Sequence, residues 1–202
     1  MMKNYAVHNY PLSHSLNVLI LLLFTTVMSC SLFDTREPEE PGPTTGPGFI
    51  QPDQPSAVIE NLTNAVRGIN LTNYLRCLHE ASFTYEPSSA AQSSNPGIWQ
   101  GWGYNEERDY FNNLRAEAEG LSGHDLSFEN EALVDQSEGE AQYEADYALT
   151  IRHESGADLE ELRGSVILHM IRDESSGDWV ISSWIDRGSG TTWSDLRAAF
   201  LR

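Results

Sequence analysis

The chain contains little cysteine and almost no lysine, and both shortages limit what the protein can be. Its two cysteines, Cys30 and Cys77, allow at most one intramolecular disulfide. Lys3 is the one lysine, and 12 basic residues stand against 30 acidic ones, so the formal charge is -18 at pH 7. Such a chain offers no basic surface for phosphate groups, so we expect no nucleic-acid partner. It also offers no basic patch for anionic lipid headgroups.

The chain also lacks a long apolar run, apart from one segment near the N-terminus. Residues 16–27 are mostly apolar, but this run is shorter than the ~20 residues that cross a bilayer as a helix. A weakly basic start, an apolar middle and small residues after it are typical of a secretory signal peptide. The sequence therefore predicts a signal peptide over residues 1–29.

The end of this segment resembles a bacterial lipobox. Cys30 follows an aliphatic, a variable and a small residue, Val27-Met28-Ser29. In a lipoprotein this Cys carries a diacylglyceryl thioether; the alternative is an ordinary secretory signal with an unrelated Cys. We favour lipidation of Cys30, which would hold the chain at a membrane surface without spanning it and leave Cys77 without a disulfide partner. Ser31, where lipoproteins retained in the inner membrane often have Asp, gives the outer membrane of the cell envelope a mild preference.

Proline and glycine are concentrated directly after the lipobox. Residues 30–54 are predicted to be the lipidated Cys followed by a Pro/Gly-rich tether, because proline removes backbone donors and favours extended chain. The alternative is a structured N-terminal arm. A single domain is then predicted over residues 55–202.

Apolar residues at helical spacing predict three helices in the first half of this domain. Pro55 suits the first turn of the first helix, and Asn70 can cap the second. Cys77 lies near the edge of the second helix and is predicted to be a small core residue rather than a reactive thiol. The predicted elements are helices at 56–69, 71–80 and 105–119, an extended piece at 83–85 and a polar loop at 88–97.

Alternating apolar residues predict four strands in the second half. Along the fourth strand, strict alternation groups Ile185 with Ile181 and places Trp184 and Asp186 on the other face. Helices followed by antiparallel strands predict an α+β fold, in which a curved sheet of four or slightly more strands wraps around the N-terminal helices. The predicted strands are 126–134, 143–151, 162–172 and 179–187, followed by a short C-terminal helix at 193–201.

This order of elements, together with several segments, resembles the nuclear transport factor 2-like superfamily, also called SnoaL-like or cystatin-like cones. The similarity runs from Pro55 to Phe200 and looks most like a branch of uncharacterised envelope lipoproteins. The resemblance implies a conical pocket and frequent homodimers; members include isomerases, dehydratases, cyclases and non-catalytic binding domains, so fold does not settle function. The segments that carry it are 55–62, 73–78, 83–85, 164–166, 179–186 and 192–196.

Three residues of the predicted sheet are weak catalytic candidates: Asp146, His169 and Asp186. An isomerase of this kind needs a carboxylate base and an acid or oxyanion donor in an apolar pocket. Alternation puts Asp146 opposite Tyr147, so the two cannot both point inward. A lone histidine such as His169 is more often a core or rim residue. Asp186 ends a strand, and capping or pairing with Arg187 or Arg197 is its simpler role.

Aromatic residues are the candidates for lining the pocket. Tyr147 and Trp184 lie on predicted strands, and Trp99 and Trp102 lie on a glycine-containing loop. The two loop tryptophans could form a lid over the pocket or plug the open end of the cone. We favour the plug.

Motifs for other chemistry are missing. The histidines after the signal segment are scattered without metal-ligand spacing, and we find no Ser-His-Asp pattern, phosphate loop or cofactor motif. We therefore expect no metal and no cofactor. The leading hypothesis is a non-catalytic, lipid-anchored envelope domain that binds a small apolar ligand or a partner protein. The alternative is an isomerase or dehydratase of the SnoaL or ketosteroid-isomerase kind, acting on a small apolar substrate.

Overall fold

The computed structural model describes residues 48–156 and 158–201. The predictions for residues 1–47, which cover the signal peptide, Cys30 and most of the tether, lie outside the described residues. The elements within the described residues, in chain order, are α1 (Pro55–Arg67), α2 (Leu71–Arg76), β1 (Thr84–Glu86), α3 (Ser89–Ser94), α4 (Tyr104–Glu117), β2 (Asp125–Gln136), β3 (Glu140–Thr150), β4 (Glu161–Arg172), β5 (Trp179–Arg187) and α5 (Trp193–Phe200).

The strands form one curved, unclosed sheet in the order β1-β5-β4-β3-β2. Strands β2 to β5 are the four predicted strands, and each pairs antiparallel with the next. The extended piece predicted at 83–85 becomes a fifth strand, β1, which pairs parallel with β5 and sets Tyr85 opposite Trp184. The helices pack on the inner face of this sheet, so the predicted α+β fold is confirmed.

The alternation predicted for β3 and β4 matches the observed burial. Every second residue of β3 from Ala141 to Leu149 is buried, and the residues between them are exposed or half-buried. On β4 the buried residues include Leu162, Val166 and Met170, while the opposite face, with His169, is half-buried. The side chains of one period-2 set therefore face the helices and form the core.

The predicted alternation along β5 is wrong from residue 182 onward. The pairing with β4 shifts register there, and Ser182 has no β4 partner of its own. A β-bulge of this kind moves the later side chains to the other face. Trp184 and Asp186 therefore join Ile181 on the buried face, while Ile185 lies half-buried on the outer face.

Strand β2 also departs from the predicted pattern, because its alternation ends after Phe128. Asn130 adopts a positive φ of 54°, and the pairing with β3 shifts register twice. All residues from 129 to 136 are exposed as a result. Val134, predicted on the buried face, is 51% exposed.

Local capping explains where the helices begin and end. Pro55 occupies the first turn of α1, as predicted, and the side chain of Asn70 caps α2 by accepting a hydrogen bond from Asn73 N at 3.0 Å. Helix α1 ends at Arg67 rather than at the predicted Ile69, because Ile69 adopts a left-handed φ of 45°.

The prediction of a polar loop at 88–97 is wrong in part. The short helix α3, Ser89–Ser94, lies within it. Ser88 caps this helix, since its hydroxyl accepts a hydrogen bond from Ala91 N at 3.3 Å. A run rich in serine and alanine has no clear apolar stripe, so periodicity alone does not reveal a helix of this length.

Candidate functional site

The curved sheet and the helices on its inner face enclose a space that we call the cone. Asp186, near the end of β5, points into this space because of the bulge at Ser182, and its side chain is fully buried. Its Oδ1 accepts a hydrogen bond from Tyr147 Oη at 2.9 Å. Its Oδ2 accepts from Ser194 N at 2.8 Å, from Ser194 Oγ, and from Tyr85 Oη at 3.3 Å. A buried carboxylate needs such partners, and here each oxygen has at least one.

The hydroxyl groups around Asp186 are themselves committed to other partners. Tyr147 Oη accepts a hydrogen bond from Trp193 N at 2.7 Å, and Tyr85 Oη lies 2.6 Å from Ser194 Oγ. Burial, and then the negative charge of Asp186, raise the pKa of Tyr147 well above its ordinary value. The cluster therefore joins the sheet to the first turn of α5 through neutral phenols and one carboxylate.

Glycine at position 164 makes room for this cluster. A Cβ added at Gly164 would lie 2.6 Å from Tyr147 Oη and 2.5 Å from the carbonyl oxygen of Arg187. Gly164 pairs directly opposite Tyr147 across β4 and β3. Only the missing side chain allows the phenol to pass over β4 and reach Asp186.

A second buried cluster joins α4 to α5. Arg197 and Glu107 form an ion pair with 2.8 Å between Nη2 and Oε1, and both side chains are fully buried. Arg197 Nε also donates to the two carboxylate oxygens at 2.9 and 3.0 Å. Trp102 Nε1 donates to Glu107 at 2.7 Å, and Tyr74 Oη donates to the same carboxylate. The pair is thus satisfied on its carboxylate side by charge-assisted hydrogen bonds.

Aromatic rings enclose the guanidinium of Arg197. Its Cζ lies 4.2 Å from the ring centroid of Tyr85, 4.4 Å from Trp184, 5.0 Å from Trp193 and 5.3 Å from Tyr110. These distances are within the range of cation–π contact. The Nη1 atom of Arg197 has no hydrogen-bond partner among the described residues, so this nitrogen is surrounded by ring faces only.

The interior of the cone is therefore occupied by the protein's own side chains. Trp184 and Trp193 contact each other edge to face at a centroid distance of 4.7 Å, directly beside Arg197. The surface grooves that we identify on the described residues are lined by none of Trp184, Asp186 or Arg197. The arrangement places two carboxylates inside the fold but leaves neither exposed to solvent.

Two of the predicted catalytic candidates lie outside the cone. Asp146 is exposed on the outer face of β3, where its Oδ2 accepts a hydrogen bond from Asn130 Nδ2 at 2.7 Å. His169 lies half-buried on the outer face of β4, paired between Gln142 and Ser183 of the neighbouring strands. The structure therefore does not bring Asp146 and His169 together with Asp186.

The loop tryptophans lie inside the fold. Trp102 is 2% and Trp99 7% exposed, and their rings stack with centroids 4.9 Å apart. Both rings also contact Tyr85, and Trp99 Nε1 donates to Ala91 O at 3.3 Å. Both roles considered from sequence, lid and plug, place these rings against the buried clusters, and the choice of the plug stays a prediction.

Sequence reasoning missed Glu107 and named Arg197 only as a partner for Asp186, although a signal for the pair was present. Each lies on the apolar stripe of its helix, at positions where a charged residue is rare. Glu107 continues the stripe of Tyr110, Phe111 and Leu114 in α4, and Arg197 continues the stripe of Trp193, Leu196 and Phe200 in α5. One acid and one base on two buried stripes indicate a buried ion pair.

A Ser-His-Asp arrangement, which sequence motifs did not show, is present at the surface. His79 Nδ1 lies 2.6 Å from Ser82 Oγ, and His79 Nε2 lies 3.4 Å from Asp173 Oδ2. The same Nδ1 also accepts Ser82 N at 3.0 Å, and Asp173 Oδ1 accepts four hydrogen bonds from the turn of the β4–β5 hairpin. The His79–Asp173 contact joins the turn before β1 to the hairpin, and the remaining polar groups of the three residues hydrogen-bond within their own turns.

Residues 48–156 and 158–201 contain no group of three or more His, Cys, Asp or Glu side chains placed to hold a metal ion. Within this part of the chain no helix is both long and apolar enough to cross a membrane.

Comparison with known proteins connects this architecture to solved structures alone. No family model matches the chain, and no curated protein sequence matches it. A candidate aromatic ring hydroxylase from Novosphingobium aromaticivorans is 18% identical with a TM-score of 0.53, covering 70% of this chain and 92% of that one. A candidate scytalone dehydratase from the same species is 12% identical with a TM-score of 0.54, covering 68% and 83%.

A third structure is similar at a lower TM-score. It is an NTF-2-like protein of unknown function from Shewanella oneidensis MR-1, 12% identical with a TM-score of 0.48, covering 66% of this chain and 95% of that one. At such identities the similarity concerns the fold and not the activity. The described residues of this chain thus adopt an α+β fold similar to that of the two Novosphingobium structures.

Proposed function

We propose that this chain is a non-catalytic binding domain that acts through its outer surface, held at the cell envelope by lipid on Cys30. The observation that carries the proposal is the position of Arg197. Its guanidinium lies among four aromatic rings at the centre of the cone and is paired with Glu107. A small ligand would need this space, so the chain's own side chains take the place of a ligand.

A pocket for a small molecule usually offers ~300–1,000 Å³ of largely apolar, pre-formed space. Opening such a space here would separate a buried ion pair and expose unpaired charge, which is costly. Of the two ligand classes expected from the sequence, a small apolar ligand and a partner protein, the filled interior supports the partner protein.

The anchor at Cys30 rests on the sequence. The lipobox resemblance at 27–30 and the Pro/Gly-rich residues up to 47 support an acidic domain tethered at a membrane surface, with the outer membrane preferred. The last part of the predicted tether belongs to the domain instead, because Asn61 hydrogen-bonds to both backbone groups of Ile50 and Trp179 N donates to Pro52 O at 2.8 Å. Two or three acyl chains are needed for stable anchoring, which the lipoprotein modification supplies.

Metabolic labelling with an alkyne fatty acid tests the anchor. The wild-type chain is expected to take up the label and to sediment with the envelope fraction, and Cys30→Ala is expected to do neither. Cys77→Ala is the matched control. It should behave as wild type, because Cys77 is buried in the core and cannot take up the label. Equal labelling of Cys30→Ala would overturn the lipid anchor.

An enzyme of the isomerase or dehydratase kind is the second candidate, and Asp186 is the observation that favours it. A buried carboxylate facing Tyr147 and Tyr85 contains the groups of an acid–base site. However, a base must reach a substrate proton, and Asp186 is fully buried with both oxygens already bonded. An assay for isomerisation of a β,γ-unsaturated ketone discriminates between the binding domain and the enzyme. We expect no difference in turnover between wild type and Asp186→Asn. Turnover that is present in wild type and lost in the variant would support the enzyme.

A homodimer through the open face of the sheet stays a prediction. That face carries half-buried aliphatic residues, Ile167 and Ile185 opposite each other and Ile171 four residues further along β4. Sedimentation velocity on the lipid-free mature chain tests it: a dimer is expected at micromolar concentration, and a monomer throughout would remove it.

A further inference from the structure

The second half of β2 is an exposed strand at one edge of the sheet. Strand β2 pairs with β3 on one side and has no strand on the other within the described residues. All eight residues from 129 to 136 are exposed, including Leu133 at 45% and Val134 at 51%. An edge strand of this kind presents unpaired backbone N–H and C=O groups that another extended chain can bind.

An apolar groove accompanies this edge. It has a volume of about 390 Å³ and lies between the start of α1 and the middle of β2. Apolar side chains and two glutamates line it, among them Pro55, Ile59, Leu133, Tyr143, Glu60 and Glu131. A strand added beside β2 would place alternate apolar side chains into this groove.

The charge around the edge selects the partner. Residues 125–151 contain eight acidic residues and no Lys or Arg. Apart from Asp125, which pairs with Arg67 at the far end of β2, none of these acids belongs to an ion pair among the described residues. Like charges so close together repel, and a basic partner would relieve this repulsion.

The same charge disfavours two other occupants. A second copy of this chain would bring its own acidic β2 against the first, so that eight acidic residues of one copy would face the same eight of the other. The chain's own residues 30–47 contain four acidic residues and one arginine, so they also carry the wrong sign. Like charges on two copies of this strand would also disfavour pairing of the edge with itself.

We propose that the β2 edge and its groove bind an extended, basic segment of a partner protein, in which apolar side chains alternate with Lys or Arg. The apolar side chains would enter the groove beside Leu133. The basic ones would point to the opposite face of the sheet, where they would reach Glu129 and Asp135 of β2. This inference rests on the proposed function and names the surface that performs it.

Peptide binding measured by fluorescence anisotropy tests the inference. The protein is the full mature chain, residues 30–202 with Cys30→Ser, and the probe is a labelled peptide of alternating Lys and Val. The peptide of alternating Glu and Val is the comparison. We expect binding of the Lys peptide, an affinity at least about tenfold weaker for the Glu peptide, and a loss of affinity when salt is raised from low to high concentration.

Variants locate the binding site. Leu133→Arg with Glu131→Lys should weaken binding of the Lys peptide by about tenfold or more, because it removes an apolar contact and reverses a charge. Glu154→Lys, an acidic residue outside the edge, is the matched control and should change the affinity by less than about threefold. Circular dichroism on each variant confirms that the fold is retained.

Two outcomes would overturn the inference. One is equal affinity, or none, for the Lys and Glu peptides; the other is unchanged affinity in the Leu133→Arg, Glu131→Lys variant. Either outcome leaves the proposed function standing if labelling at Cys30 is found and the interior holds no small molecule. Conversely, a small molecule bound inside the cone would overturn the proposed function whatever the peptide result.

Discussion

Arg197 and Glu107 form a fully buried ion pair, although 90 residues separate them in the sequence. Glu107 lies in the first turns of α4, and Arg197 lies in the middle of the last helix, α5. The pair therefore fixes the C-terminal helix against α4 and fills the space that the sheet encloses. Buried pairs of this kind are sensitive to the loss of one partner rather than strongly stabilising in themselves.

Removing one partner of this pair should strongly destabilise the fold. Arg197→Met leaves the Glu107 carboxylate buried and unpaired, which we expect to lower the free energy of unfolding by about 3–5 kcal/mol. Urea denaturation followed by tryptophan fluorescence measures the change. The matched control is Arg67→Ala at the half-exposed pair with Asp125, which should cost less than about 1 kcal/mol. Equal effects of the two variants would contradict the role given to the buried pair.

Gly164→Ala should disturb the Asp186 cluster. The added Cβ would contact Tyr147 Oη at 2.6 Å and backbone at 2.5 Å, so the phenol must move away from Asp186. We expect a loss of about 1–3 kcal/mol in stability, typical of overpacking. Gly139→Ala is the control, because no atom lies within 4 Å of its added Cβ, and it should change stability by about 0.5 kcal/mol or less. Matching thermal denaturation midpoints for the two variants would argue against the close approach.

The thiol of Cys77 should be unreactive in the folded protein. Burial raises the pKa of Cys77 to about 12, and the thiolate is the reactive form. In the Cys30→Ser chain, where Cys77 is the remaining thiol, we expect Ellman's reagent to react within minutes in guanidinium chloride and far more slowly in buffer. Fast reaction of the native chain would place Cys77 outside the core.

The ring of His124 should titrate below the ordinary histidine value of 6.5. Partial burial lowers the pKa of His124, opposed by its contact with Leu121 O, and the nearby Arg152 lowers it further. Its Nδ1 also accepts a hydrogen bond from Arg152 N at 3.2 Å, which requires an unprotonated nitrogen. The stability contributed by neutral His124 is complete above pH 6.5 and is lost as the pH falls from there through the lowered pKa. NMR titration of the His124 ring measures this pKa. A midpoint at or above pH 6.5 would contradict the hydrogen bond from Arg152 N to Nδ1.

The secondary structure could largely be predicted from the sequence because its signals are local. The stripe of α1, the cap at Asn70 and the alternation along β3 each depend on neighbours a few residues apart. The bulge at Ser182 could not be predicted in this way, since strict alternation through that point is equally consistent with the apolar residues on either side. One extra residue in β5 places Asp186 on the same face of the strand as Ile181, inside the cone, instead of on the outer face.

The contents of the cone depend on contacts between distant parts of the chain. Tyr147 could be identified as inward-facing from its strand, but its partners Asp186 and Trp193 come from two later elements. A charged residue on an apolar stripe predicts that a partner exists without naming it, which is why Glu107 and Arg197 were not paired from sequence. The filled interior is accordingly a finding of the structure.

Native mass spectrometry of the mature chain tests the filled cone most directly. The chain with Cys30→Ser, purified from cells without detergent, is expected to show the mass of the polypeptide alone, because Arg197 and the surrounding rings occupy the interior. A small molecule bound at one copy per chain, released on denaturation and absent from Asp186→Asn, would contradict this account and place a ligand site inside the cone.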